Sequence, residues 1–160
     1  MMTARIPLPG GAAEQSADLV VVHAMAEFLD LATDDQFAVE FLRGVGLSAH
    51  AFVTPSGVVI RSRSDDQGAW HAKGFNTDSL GVEFLVPGLH TYATFTAAIR
   101  VPYLTDAQYA AGVALVQGWI ESHELDRIAR HSDLSPGRKV DPGQGFPWDQ
   151  FLDDVGWKES

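Results

Sequence analysis

The stretch His131 to Trp148, HSDLSPGRKVDPGQGFPW, gathers a histidine, a lysine and aspartates among prolines and glycines. Stretches of that make-up carry function more often than packing. His131 follows the apolar run Ile128-Ala129-Arg130, and Asp141 lies ten positions further on. A strand end and a stiff loop could therefore aim an imidazole and a carboxylate at one point. His23 ends the run Leu19-Val20-Val21-Val22 in the same way and supplies a third ligand of the right kind. Neutral imidazole is a common zinc ligand, and two histidines with one carboxylate leave a tetrahedral position open, as catalytic zinc sites do. Non-haem iron uses the same ligand types, so the donor set alone does not choose the metal. Each histidine taken alone could equally be satisfied by local hydrogen bonds.

Other residue types add chemistry around that centre. Glu83 is a lone carboxylate in the apolar run Leu80 to Val86. Burial there would raise its pKa towards the range of a general base, whereas strand alternation equally allows it to face solvent. Lys139 lies two residues before Asp141, so in extended chain both side chains leave on one side. An ammonium there could meet a developing oxyanion, or with Arg138 could recognise a substrate carboxylate. His50 could brace a ligand or touch substrate. Trp70, His71 and Asn76 sit in the loop AWHAKGFN and offer an aromatic face, an imidazole and an amide to a substrate. His90 and His123 have no partner pattern and are expected at the surface. There is no nucleophile-elbow glycine pair, no phosphate-binding glycine loop and no HExxH helix.

The elements that must hold these groups are legible in outline. Leu19 to Val22 reads as a strand buried on both faces. Thr33-Asp34-Asp35 offers helix-capping chemistry ahead of Phe37, Val39, Phe41 and Leu42, with Gly44 or Gly46 as the stop. Ser48 to Thr54 and Val58 to Arg63 read as a hairpin about Pro55-Ser56-Gly57, and Leu80 to Val86 as a further strand. His90 to Tyr103 is ambiguous between loop, strand and helix. Thr105 and Gln108 form a capping-box pattern at the head of the clearest helix, Asp126 to Arg130 returns as a strand, and Trp148 to Val155 closes the chain as a short helix. The expectation is one α/β or α+β domain, a mixed sheet with helices packed over it.

Composition narrows the function classes. At 160 residues, 46% of them hydrophobic, the chain can bury a core of its own. It has no cysteine, so any transition-metal site must be built from imidazole and carboxylate. A formal net charge of −10 argues against nucleic acid and anionic membranes as partners. No secretory signal and no membrane span are seen, which predicts a protein made in the cytoplasm.

The segments VVVHA at 20–24, SAHAFVTPSGVVIRS at 48–62, AWHAKGFN at 69–76, SLGVEF at 79–84 and HSDLSPGRKVDPG at 131–143 together resemble the zinc-dependent N-acetylmuramoyl-L-alanine amidases, the family of phage lysozyme-type amidases, muropeptide amidases and peptidoglycan recognition proteins. The resemblance implies a central mixed sheet flanked by helices, zinc ligands at His23, His131 and Asp141, a catalytic glutamate at Glu83 and an oxyanion-stabilising Lys139. The implied substrate is peptidoglycan or a muropeptide, cut between N-acetylmuramic acid and L-alanine. It also implies a monomeric zinc amidase domain over residues 19–160, behind an irregular lead-in over 1–18. Action on the cell wall would follow release from the cell, as for an endolysin. Ala49 stands where some phage members carry a tyrosine, which leaves more of the proton transfer to Glu83. The alternative within the resemblance is a peptidoglycan-binding module without activity.

Overall fold

The computed structural model describes residues 2–5, 7, 14–26, 42, 44 and 46–158. Among these, six strands make one sheet: β1 (Thr3–Arg5), β2 (Leu19–Ala26), β3 (Ala51–Val53), β4 (Val59–Arg61), β5 (Ser79–Val86) and β6 (Arg127–Arg130). Their order is β1-β4-β3-β5-β2-β6, and every pairing is parallel except the β3–β4 hairpin. The helices whose limits fall within the described residues are α1 (Tyr92–Ala98), α2 (Asp106–Ser122), α3 (His131–Leu134) and α4 (Trp148–Asp154). The mixed sheet with packed helices expected from sequence is the fold observed.

The two long strands lie at the centre, and all eight residues of each are buried. Such strands must be apolar on both faces, which is why LVVVHAMA and SLGVEFLV lack the alternation of a half-exposed strand. One face of the sheet packs Val20, Val22, Val82 and Phe84 against α2 through Ala111, Leu115, Val116 and Trp119, and against α4 through Phe151. A side chain at Gly112 would collide with the Phe84 ring, so this glycine lets α2 approach the sheet closely. Burying a side chain such as Phe84 contributes about 1.5–3 kcal/mol. The opposite face carries Leu19 and Val21 in one cluster and Met25, Leu42, Phe52 and Leu85 in another. His23 and Glu83 share this second face by alternation.

Several elements differ from the sequence expectation. The lead-in is not wholly irregular, since Thr3–Arg5 pairs in parallel with Val59–Arg61 and Gln15 donates to the carbonyls of Ser79 and Asp65. A three-residue edge strand has no periodicity to read and is specified by its partner. The ambiguous stretch contains α1, capped by Thr91, with Thr94 reciprocating at the position where glutamate or glutamine is the usual signal. At α2, Thr105 Oγ1 accepts from the Gln108 amide as expected. The Gln108 side chain does not return the bond; fully buried, it donates to the carbonyls of Val53 and Leu85. The expected helix beginning at Thr33-Asp34-Asp35 lies outside the described residues for most of its length. Among the described residues, no helix is long and apolar enough to cross a membrane.

Candidate metal centre

Parallel pairing of β5, β2 and β6 brings the middle of β2 and of β5 beside the end of β6. In the β2–β5 register His23 stands opposite Glu83, and in the β2–β6 register Val22 stands opposite Arg130, so His131 emerges beside His23. His131 is the first residue of the one-turn helix α3, not the last of a strand. The C-terminal ends of strands in such sheets are where ligand sites form. Asp141 reaches them by a loop that is fastened at several points. The Ser132 amide donates to the Asp141 carbonyl at 2.9 Å, the buried Ile99 carbonyl after α1 accepts from Gly145 at 2.7 Å, and Tyr103 Oη donates to the Pro142 carbonyl at 2.9 Å. Gly143 takes a positive φ of 81° against Ile99, a position open only to glycine.

The result is a tight group of ligand atoms. His23 Nδ1 lies 2.9 Å from His131 Nδ1 and 3.4 Å from Asp141 Oδ2, and His131 Nδ1 lies 3.0 Å from the same oxygen. All three residues are buried, and one ligand atom of each falls within 4.8 Å of the others. Four ligand atoms placed tetrahedrally about 2.0–2.1 Å from a cation stand about 3.3 Å apart, so these spacings fit a tetrahedral ion with one position left open. The cluster can hold a metal.

The electrostatics agree with that role. Burial lowers the His23 pKa to about 4, against the opposing pull of the Asp141 carboxylate beside it, so the ring is neutral at pH 7 as a ligand must be. Burial alone would raise Asp141, but its contacts with the His131 and His23 rings outweigh it and hold the carboxyl below the usual carboxylate range. Glu83 goes the other way: burial, then the charge of Asp141, pushes it well above its usual value while Lys139 pulls it down. Two neighbouring carboxyls driven apart in this way can divide ligand and proton-transfer roles. Glu83 Oε1 lies 3.9 Å from His23 Nδ1, and its Oε2 is buried with no hydrogen-bond partner among the described residues. A cleft of about 160 Å³ opens over the group, lined by His23, Glu83, His131, Lys139, Asp141 and Trp70 among others.

The remaining sequence candidates divide. Trp70 is 42% exposed on the rim and faces the cleft. His71 also lines it, but its Nδ1 lies 2.9 Å from His23 Nε2, so it leans on a ligand as much as on the opening. Asn76 turns inward, where Oδ1 accepts from the amides of His71 and Ala72. Arg138 is exposed and donates to Ser135 Oγ at 2.7 Å, away from the cleft lining. His50 is fully buried; Nδ1 accepts from the Gly81 amide at 3.0 Å and Nε2 donates to the Gln67 carbonyl at 2.8 Å. Of the two parts its sequence position allowed, bracing and substrate contact, these bonds fit a brace beneath the loop. Sequence reasoning missed Tyr103 and Ile99, whose part is to brace the Asp141 loop across a gap no local pattern reveals.

His50 sets a pH expectation. Burial lowers its pKa from 6.5 to about 4, so the stability it contributes is complete above about 6.5 and is lost as pH falls through 4. Protonation would also cancel the acceptor that holds the Gly81 amide. Glu83, raised, contributes with the opposite sign, so the His50 part is isolated by difference. In metal-free protein, the parent should lose roughly 3 kcal/mol more than His50→Gln between pH 7 and pH 4, read by urea unfolding. Equal losses would show that His50 is not buried as a neutral ring.

The N-acetylmuramoyl-L-alanine amidase family model matches residues 13–144. The chain is 35% identical over 117 residues to the 1,6-anhydro-N-acetylmuramyl-L-alanine amidase AmpD of Enterobacter cloacae, covering 67% of this chain and 56% of that protein. It thus spans a little over half the length of the curated relatives it matches. A crystal structure of a selenomethionine AmpD derivative superposes with a TM-score of 0.72 at 26% identity, covering 96% of this chain and 94% of that one. The amidase AmiD from E. coli, solved with anhydro-N-acetylmuramic acid-L-Ala-D-gamma-Glu-L-Lys as its substrate, superposes with a TM-score of 0.66 at 25% identity, over 93% of this chain and 61% of that one.

Proposed function

This chain belongs to the N-acetylmuramoyl-L-alanine amidase family, and from that premise we propose that it hydrolyses the amide joining N-acetylmuramic acid to the L-alanine of a stem peptide, with zinc held by His23, His131 and Asp141. The observation that carries this reading is a buried carboxylate, Glu83 Oε2, without a hydrogen-bond partner among the described residues, beside a converging His, His, Asp set at the floor of a cleft. Zinc bound there would supply Lewis acidity, polarising a carbonyl and making a water more acidic. Glu83 accepts the proton of the attacking water and passes it to the leaving L-alanine nitrogen, so that the amide breaks to an acid and an amine. Lys139, half-buried on the same cleft, faces the carbonyl oxygen as it gains negative charge. Trp70 offers its exposed ring to the substrate at the rim.

Lys139 also borders an adjoining groove with Arg100 and Arg130. A γ-linked glutamate in a stem peptide leaves its α-carboxylate free, and cations along this groove complement such a peptide. The relatives named for 1,6-anhydro substrates favour soluble muropeptide fragments over intact wall. Purified zinc-loaded protein should release peptide with a free L-alanine amine from anhydro-muropeptides much faster than from intact sacculi. Faster release from sacculi would mark a wall-lysing enzyme instead, and binding without release would mark a recognition module.

A further inference from the structure

The imidazole of His23 has two faces, and the structure determines which one meets the metal through a chain of hydrogen bonds that can be followed proton by proton. At its far end Ser79 Oγ lies 2.5 Å from the Phe75 carbonyl oxygen. A carbonyl only accepts, so the hydroxyl proton lies in that contact. Ser79 Oγ is also 3.1 Å from His71 Nε2, and with its proton already committed it can only accept there. His71 therefore carries its proton on Nε2 and presents a lone pair at Nδ1. That lone pair faces His23 Nε2 at 2.9 Å, so His23 must carry its own proton on Nε2. The lone pair of His23 is left on Nδ1, the atom that faces His131 and Asp141.

The placing of His71 is itself built into the fold. A Cβ on residue 81 would stand 2.5 Å from His71 Nδ1 and 2.7 Å from its Cγ, so the ring occupies the space that glycine leaves on β5. The backbone amide of His71 is held by Asn76 Oδ1 at 3.1 Å, and the ring meets His23 edge to face with centroids 5.1 Å apart. His131 has no equivalent support, since its Nε2 is buried without a hydrogen-bond partner among the described residues. Control of ligand orientation is thus one-sided.

We propose that His71 and Ser79, seated on Gly81, are positioning residues that lock His23 in the Nε2–H tautomer and so present its Nδ1 lone pair before a metal arrives. The inference rests on the metal-binding reading of the site but not on its activity. Without the lock, the alternative tautomer would place an N–H among the ligand atoms, where it must be removed or the ring flipped for metal to bind. Partners of this kind, which orient a ligand without touching the metal, typically govern its affinity by 10- to 100-fold.

The test uses the full chain freed of metal by chelator and labelled with ¹⁵N. Long-range ¹H–¹⁵N correlation should show both His23 and His71 protonated on Nε2; a proton on Nδ1 of either overturns the proposal. This arm needs no variant, so it decides even if substitutions at these buried positions fail to fold. In competition with a chromogenic chelator, His71→Leu and Ser79→Ala should each weaken zinc binding by roughly 10- to 100-fold. His71→Gln, whose side-chain oxygen can accept from His23 Nε2–H, should recover most of that loss. Equal zinc affinity in His71→Leu and the parent would also overturn the lock. Neither readout depends on hydrolysis, so a protein with the predicted tautomers but no amidase activity would refute the proposed function and leave this inference standing.

Discussion

His131→Ala should abolish zinc binding and hydrolysis together. Its Nδ1 is the atom closest to both other ligands, at 2.9 Å from His23 Nδ1 and 3.0 Å from Asp141 Oδ2. Removing it leaves a histidine and an aspartate, too few donors for a stable catalytic zinc site. It also strips Asp141 of a hydrogen bond that keeps a buried carboxyl ionised. Leaving a buried acceptor without its hydrogen-bond partner costs on the order of 1–3 kcal/mol, more when it is charged, so the metal-free variant should be less stable as well. Metal content of the purified protein by mass spectrometry is the measurement, with amine release from a muropeptide alongside it. Stoichiometric zinc retained in His131→Ala would refute the proposed ligand set whatever the activity.

Glu83→Gln separates chemistry from metal binding. Glutamine keeps the volume and one polar oxygen but cannot take a proton, so turnover should fall by roughly 10²- to 10⁴-fold, the usual share of a positioned general base. Zinc should stay bound, because the three ligands are untouched. The variant carries a second signature. Burial pushes the Glu83 pKa well above its ordinary value, so the stability linked to its proton is complete at low pH and is lost as pH rises through the folded value. Replacing it by a neutral amide removes that loss, and the metal-free variant should gain stability over the parent on the alkaline side. Parental turnover in Glu83→Gln would dispose of the base assignment, and a variant that lost zinc as well would make Glu83 part of the ligand set.

How much of the site was legible before folding depends on the residue. His23 and His131 could be nominated because each directly follows an apolar run, and Asp141 because a Pro and Gly-rich loop returns it. Glu83 was legible as a type but not as a direction. Alternation says that Glu83 and Val82 take opposite faces, yet only the sheet's partners say which face is covered. Here α2 covers the Val82 side, and the register with β2 sets Glu83 beside His23. His71 and His50 show the reverse difficulty. In sequence His71 reads as a substrate contact and His50 as either a brace or a substrate contact, and loop placement sets one against His23 and buries the other between Gly81 and Gln67. The edge strand β1 is the plainest omission, since three residues pair only because β4 offers them an edge.

By itself the sequence determined the kinds of chemistry open to this protein. A chain without cysteine, with two histidines that follow apolar runs and an aspartate in a Pro and Gly-rich loop, can build a transition-metal site only from imidazole and carboxylate. Local patterns also determined the two central strands and the long helix, because burial on both faces and helical periodicity are written in consecutive residues. Tertiary structure alone decided which ring nitrogens face one another at the candidate site, which carboxyl is pushed up and which is held down, and which histidines gather there. Those outcomes turn on contacts between residues dozens of positions apart, His23 with His131 and His23 with His71, which no local pattern in the chain specifies.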